Sequence, residues 1–146
     1  FKGTVYRQTM FAEFELAMGK MAESGQALTA DALCQKYHAL NKLYFGPDMV
    51  SDDQIALEWA RIPHFFYNYY VFQYATGFSA AVAIANRILK EGAPAVADYK
   101  KFLSGGCSTD PISLLKIAGV DMSSPEPVNS ALALFGELVD EMEQLV

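Results

Sequence analysis

The sequence predicts an all-helical, bundle-like unit. Apolar residues recur at helical spacing along almost the whole chain, and no stretch alternates apolar and polar residues as a strand would. Glycines, prolines and Ser/Thr/Asp caps punctuate that pattern at helix-length intervals. The 146 residues, 52% of them hydrophobic, make one domain with enough apolar material for a real core. No internal repeat is present.

In the first helix Val5, Phe11, Phe14, Ala17, Met18 and Met21 lie near one stripe, with Glu13, Glu15, Lys20 and Glu23 mostly beside it; Gly25 ends it. Thr29 is an N-cap for a second helix, Ala30 to about Leu43, with apolar spacing at Ala32, Leu33, Tyr37, Leu40 and then Leu43 or Tyr44. Residues 45–48 (Phe-Gly-Pro-Asp) read as a turn. Ser51, Asp52 and Asp53 cap a short helix running through Trp59. Pro63 restricts Ile62 and places a break just before His64. A long helix is expected from about Phe65 to Lys90. Its small residues Ala75, Gly77, Ala80, Ala81, Ala83 and Ala85 suit a central, close-packed helix. Pro94 lies in the first turn of the next helix, which ends near Leu103. Residues 104–111 are the most flexible segment by composition, and Asp110 with Pro111 opens a short helix that stops at Gly119. Residues 123–127 lead into an amphipathic closing helix through Glu143, where Glu137, Asp140, Glu141 and Glu143 alternate with Leu138, Val139 and Leu145.

The net charge is −6, from 17 acidic and 11 basic residues with no basic run, which excludes nucleic acid as a partner. No apolar run approaches the length of a membrane span, so no membrane partner is expected. Cys34 and Cys107 form no CxxC and describe neither a disulfide scaffold nor a zinc site; free thiols fit a reducing compartment, and the expected location is cytoplasmic. Phe1 is not an initiator methionine and the helical pattern begins almost at once, as expected of a chain cut from something longer.

Chemistry concentrates between Arg61 and Gly77, where His64 is followed by Tyr67, Tyr69, Tyr70 and Tyr74. This stretch is too aromatic for a solvated helix and too polar for a silent core. A buried phenol needs a hydrogen-bond partner. On a helix, Tyr67, Tyr70 and Tyr74 stand at i, i+3 and i+7 and share a face. Gly77 continues that face, Tyr69, Gln73 and Thr76 form a neighbouring polar stripe, and His64 sits at the mouth. Such a set can hold a peptide carbonyl and the oxyanion it becomes. Aromatic residues at helical spacing more often pack a core, so a helical scaffold or interaction module with purely structural tyrosines stays open at this point.

Other chemistry finds little support. Catalytic zinc takes three protein ligands in most sites, and the chain has two histidines, His38 and His64, and no HExxH. His38 reads as an ordinary helix residue. Glu13 and Glu15, two positions apart, do not face each other. Cys107 lies in no thiol-catalyst motif, and Ser104-Gly105-Gly106 is neither a phosphate-binding nor a dinucleotide loop.

Three segments together are recognisable: residues 1–15 (Phe-Lys-Gly-Thr-Val-Tyr-Arg-Gln-Thr-Met-Phe-Ala-Glu-Phe-Glu), residues 61–77 from Arg-Ile-Pro-His to Tyr-Ala-Thr-Gly, and residues 118–128 (Ala-Gly-Val-Asp-Met-Ser-Ser-Pro-Glu-Pro-Val). With them the chain resembles, over essentially all its length, the C-terminal part of the catalytic domain of the oligoendopeptidase F family. These are zinc metallopeptidases of peptidase family M3, related to thimet oligopeptidase. The resemblance implies that residues 1–146 are a helical portion of a zincin-type catalytic domain that hydrolyses peptide bonds in short peptides. In that family two histidines of HExxH and a glutamate on a following helix hold the zinc, and the HExxH glutamate activates water; all would lie upstream of Phe1. The upstream part of the same polypeptide is therefore an implied partner, beside the short peptide substrate. No metal ligand is assigned within this chain, and Glu13 is read as a groove or packing residue. His64 matches the family's histidine by position. Tyr74 and Tyr67 rank first as catalytic oxyanion donors, with Tyr70 next, and Tyr70 and Tyr69 are substrate-binding candidates. By itself the chain is expected neither to bind zinc tightly nor to cleave peptides.

Overall fold

A computed structural model describes residues 1–145, and every regular element among them is helical. The chain forms two compact units, Phe1–Ala75 and the residues from Thr76 on.

In the first unit a π-helical turn, Lys2–Tyr6, runs directly into α1, Arg7–Glu23. Val5, Phe11 and Phe14 are buried as the stripe requires, and Met10 joins them at full burial. Glu15, placed beside the stripe by sequence, is buried too; its partner lies far along the chain. Gly25, at φ 78°, closes α1 in the left-handed conformation that costs glycine nothing. The Gln26 and Gly25 N–H groups donate back to the Met21 and Ala22 carbonyls, a complete Schellman ending. The Thr29 hydroxyl accepts from Ala32 N–H at 3.2 Å and starts α2, Ala30–Phe45. Leu33, Tyr37 and Leu40 face inward; Leu43 is 70% exposed, so Tyr44 is the residue that packs inward on the last turn. Asp52 accepts from Ile55 N–H at 2.8 Å and caps the next element, which is a 3-10 helix, Asp53–Arg61.

These helices meet around aromatic rings. Phe14 is fully buried, with Tyr37 edge-on at 5.2 Å and Phe65 edge-on at 5.1 Å. The polar tip of Tyr37 donates to Glu58 Oε2 at 2.6 Å, and the guanidinium groups of Arg7 and Arg61 pair with the other Glu58 oxygen. Glu58 thus ties α1, α2 and the 3-10 helix together at a buried point. Burial, followed by the Glu58 hydrogen bond and charge, pushes the Tyr37 phenol far above its ordinary range. Tyr44 donates to Glu13 Oε2 at 2.9 Å, which gives Glu13 a packing role. Burial and that bond push the Tyr44 phenol up to about 12.

Raised folded-state values make both phenols sensitive to alkali. Below the ordinary value of 10.0 the phenols are protonated whether the chain is folded or unfolded, and their stabilisation is complete. Above it the unfolded chain gives up protons that the folded chain keeps, so stability falls as pH rises, through about 12 for Tyr44. Urea midpoints measured at stepped alkaline pH are expected to drop over that window, with a shallower fall in Tyr44→Phe. A flat profile in the parent protein contradicts the buried Tyr37–Glu58 pair and the part-buried Tyr44–Glu13 pair.

The expected long helix from Phe65 to Lys90 is not continuous. Pro63–Phe66 is a single 3-10 turn, and α3 begins at Phe72 and runs to Glu91. Asn68 and Tyr69 cause the break: their φ values of 53° and 63° are left-handed, and a right-handed helix cannot pass through them.

The second unit holds the remainder of α3 with α4, Ala93–Ser104, α5, Pro111–Ile117, and α6, Glu126–Glu143. Ala80, Ile84, Ala118 and Val120 form its core, with Tyr99, Phe102 and Leu115 packed against them. Arg87 donates to Glu91 at 3.0 Å, to Asp98 at 2.9 Å and to the Ala118 carbonyl at 2.8 Å, joining α3 and α4 to the end of α5. Gly119 is required there twice over: its φ is 79°, and a Cβ would lie 2.4 Å from the Arg87 guanidinium. The small residues of α3 do not all close-pack, since Ala81 and Ala85 are exposed while Ala80 is buried. On α6 the buried residues are Pro127 and Ala131, and Leu138 and Met142 face solvent in this chain.

Candidate active site

The histidine and tyrosines sit on a loop pinned at both ends. Pro63 forces Ile62 into an extended conformation, φ −94° and ψ 101°, and Ile62 is buried in the aromatic core. Val71, at the far end, is fully buried in the same core. Between these anchors residues 66–70 are exposed, while Phe65 packs back against the core. Tyr67 N–H donates to the His64 carbonyl at 3.0 Å and closes the 3-10 turn; Tyr74 follows on the first turn of α3.

His64, Tyr67, Tyr70 and Tyr74 come together there. The His64 ring lies 5.7 Å from Tyr67, 5.8 Å from Tyr70, on which it stacks, and 5.8 Å from Tyr74. Tyr70 stands edge-on to Tyr67 at 6.0 Å and to Tyr74 at 5.5 Å. A 3.2 Å hydrogen bond joins Tyr74 Oη to His64 Nε2. Contact with the Tyr70 hydroxyl, then partial desolvation and the fields of Tyr70 and Tyr67, raise the Tyr74 phenol above its ordinary value. Tyr67, Tyr70 and Tyr74 are 57%, 38% and 37% exposed in this chain. The phenols are therefore not buried in pairs beneath helices.

The three phenols share a site as helical spacing suggested, but for another reason. The chain reversal at Asn68 and Tyr69 brings Tyr67 and Tyr70 around His64, and α3 supplies Tyr74. Tyr69 goes elsewhere. It precedes α3, so the stripe expected with Gln73 and Thr76 is not made; its N–H donates to Glu15 Oε1 at 2.7 Å and its hydroxyl lies against Gly19. With Phe65, Phe66, Asn68, Met18 and Trp59, Tyr69 lines an apolar pocket of about 350 Å³ that none of His64, Tyr67, Tyr70 and Tyr74 lines.

Sequence reasoning placed Glu15 only beside the first-helix stripe and passed over Gly19 and Glu58. Their partners are 51 to 54 positions away where a side chain of α1 is involved, beyond the reach of local periodicity. Among the described residues no three His, Cys, Asp or Glu side chains gather as a cation site. His38 Nε2 lies 3.3 Å from the Ser51 carbonyl oxygen, and Cys34 and Cys107 are free. No helix among the described residues is long and apolar enough to cross a membrane.

Residues 2–134 match the family model of peptidase family M3. Over its whole length the chain is 58% identical to the oligopeptidase PepF of Bacillus subtilis, spanning 22% of that protein. It is 46% identical, again over its full length, to the group B oligopeptidase PepB of Streptococcus agalactiae, spanning 24% of it. The crystal structure of oligoendopeptidase-F from Enterococcus faecium matches 99% of the chain with a TM-score of 0.95 at 48% identity, and the match covers 28% of that chain.

Proposed function

The chain belongs to peptidase family M3, and on that premise we propose that residues 1–146 are the C-terminal portion of the catalytic domain of a zinc-dependent oligopeptidase. In this reading they supply the substrate-backbone and oxyanion contacts for hydrolysis of short peptides. The observation that carries the reading is the open cluster of three phenols around His64. A scaffold whose tyrosines only pack would bury those rings, and it has no use for an exposed phenol bonded to a half-buried imidazole.

The donors present do not fit a zinc centre. Two histidines, and no gathered set of three His, Cys, Asp or Glu side chains among the described residues, fall short of three ligands. In this reading the metal and the water it activates belong to the upstream part of the same polypeptide. This chain's residues do the complementary work. Tyr74 and Tyr67, as neutral hydroxyls on large fixed rings, donate to the carbonyl oxygen as it becomes an oxyanion; His64 holds that oxygen or the adjacent carbonyl. Tyr70, stacked on His64, fixes the imidazole plane and contacts the peptide backbone. Tyr69 has no place in this set, because its hydroxyl meets α1. Two free cysteines, one exposed, fit a reducing compartment, and the cytoplasm is the proposed place of action.

The reading is tested by expressing the chain with its upstream sequence and assaying cleavage of short peptides with and without a chelator. Cleavage lost on chelation and restored by zinc supports it; a longer polypeptide that folds, binds zinc and cleaves nothing contradicts it. The isolated chain is expected to retain no stoichiometric zinc after dialysis, and one equivalent held by it would overturn the division of labour.

A further inference from the structure

We propose that Glu15 and Gly19 of α1 are positioning residues for the His64–tyrosine cluster, clamping the left-handed Asn68–Tyr69 reversal from behind; the inference rests on the functional reading above. Two consecutive non-glycine residues with positive φ are uncommon. Asparagine tolerates that region, whereas for a bulky tyrosine it is an outlier that the surroundings must hold in place. The holding group is visible. Glu15 is 6% exposed, no cation pairs with it among the described residues, and its Oε1 accepts Tyr69 N–H at 2.7 Å. Gly19 lies one turn further along the same face of α1. A Cβ there would sit 1.9 Å from the Tyr69 hydroxyl, so only glycine lets the ring lie against the helix. Glu15 thus holds the Tyr69 backbone and Gly19 admits its side chain.

The consequence passes to the residues on either side. Tyr67 and Tyr70 flank the reversal, and Tyr70 stacks on His64. Releasing Tyr69 redirects both rings while Ile62 and Val71 stay anchored in the core. Loss of the clamp should therefore disturb the site far more than the fold.

In the longer, active polypeptide Glu15→Ala is expected to lower kcat by about 10², the scale of a misplacement near 1 Å. KM, zinc content and melting temperature should change little, and hydrogen exchange at the Tyr69 amide should accelerate. Glu15→Gln keeps a side-chain oxygen that accepts the same N–H and should restore most of the rate. Gly19→Ala should also lower kcat, and adding Tyr69→Phe, which removes the clashing oxygen, should recover part of it. Unchanged kcat and Tyr69 exchange in both single variants overturn the proposal, as does a loss that tracks only the folded fraction, with Gln no better than Ala and no recovery by Tyr69→Phe. If Glu15→Ala does not fold, the Gly19–Tyr69 pair decides. The two readings fail separately: a fall in Tyr74→Phe without one in Glu15→Ala or Gly19→Ala sinks the clamp alone. Wild-type turnover in both Tyr74→Phe and Tyr67→Phe sinks the functional reading, and exchange at the Tyr69 amide then still decides the clamp.

Discussion

Tyr74→Phe in the longer polypeptide is expected to lower kcat by about 10²–10³, the loss of one preorganised oxyanion donor, or about 3–4 kcal/mol at the transition state. Zinc content should not change, because the proposed reading places the zinc ligands upstream of this chain. Tyr74 ranks first for physical reasons. It stands on the first turn of α3, directly after the buried Val71, so its backbone is better held than that of Tyr67 on the loop. Its hydroxyl already lies 3.2 Å from His64 Nε2. Tyr67→Phe should follow closely, and Tyr70→Phe, whose ring acts partly by stacking on His64, should cost less. Steady-state kinetics with metal analysis of each variant give the comparison, and equal turnover in Tyr74→Phe and wild type refutes the assignment.

Phe14→Ala should cost about 3–5 kcal/mol of stability, the range for removing a fully buried aromatic ring. Phe14 is 0% exposed and loses edge-on contacts to both Tyr37 and Phe65. The cavity would open between α1, α2 and the residue that follows His64, so activity should fall at temperatures where the protein is still mostly folded. Denaturant unfolding of wild type and variant measures the first effect. A change below about 1 kcal/mol would mean that the site collapses freely around the hole. Glu15→Ala, by contrast, should impair rate more than stability, and the two variants together separate packing from positioning.

Local signals carried most of the helical order. Thr29, Asp52 and Asp110 each accept the N–H three residues on, as their positions before apolar periodic stretches required. Gly25 and Gly119 end helices in the left-handed conformation. The break before His64 was legible because proline acts on its immediate neighbour. The reversal at Asn68 and Tyr69 was not, since neither residue is a glycine and what holds them is a carboxyl 54 positions away. Helical spacing therefore grouped Tyr67, Tyr70 and Tyr74 through a helix that does not exist there, and it placed Tyr69 beside them. Glu58 was unreadable for the same reason: a glutamate in a short capped helix looks solvated until Tyr37, Arg7 and Arg61 converge on it. Where the partner is local, pattern and physics agree; where it is distant, only the assembled core reveals it.

The most direct test of the central claim is a crystal structure of the longer polypeptide bound to a phosphinic peptide, whose tetrahedral oxygens mimic the oxyanion. Tyr74 Oη or Tyr67 Oη, together with His64, is expected at about 2.7–3.1 Å from those oxygens or the adjacent carbonyl. An inhibitor bound at the metal with His64 and all three phenols turned away from it would contradict the account.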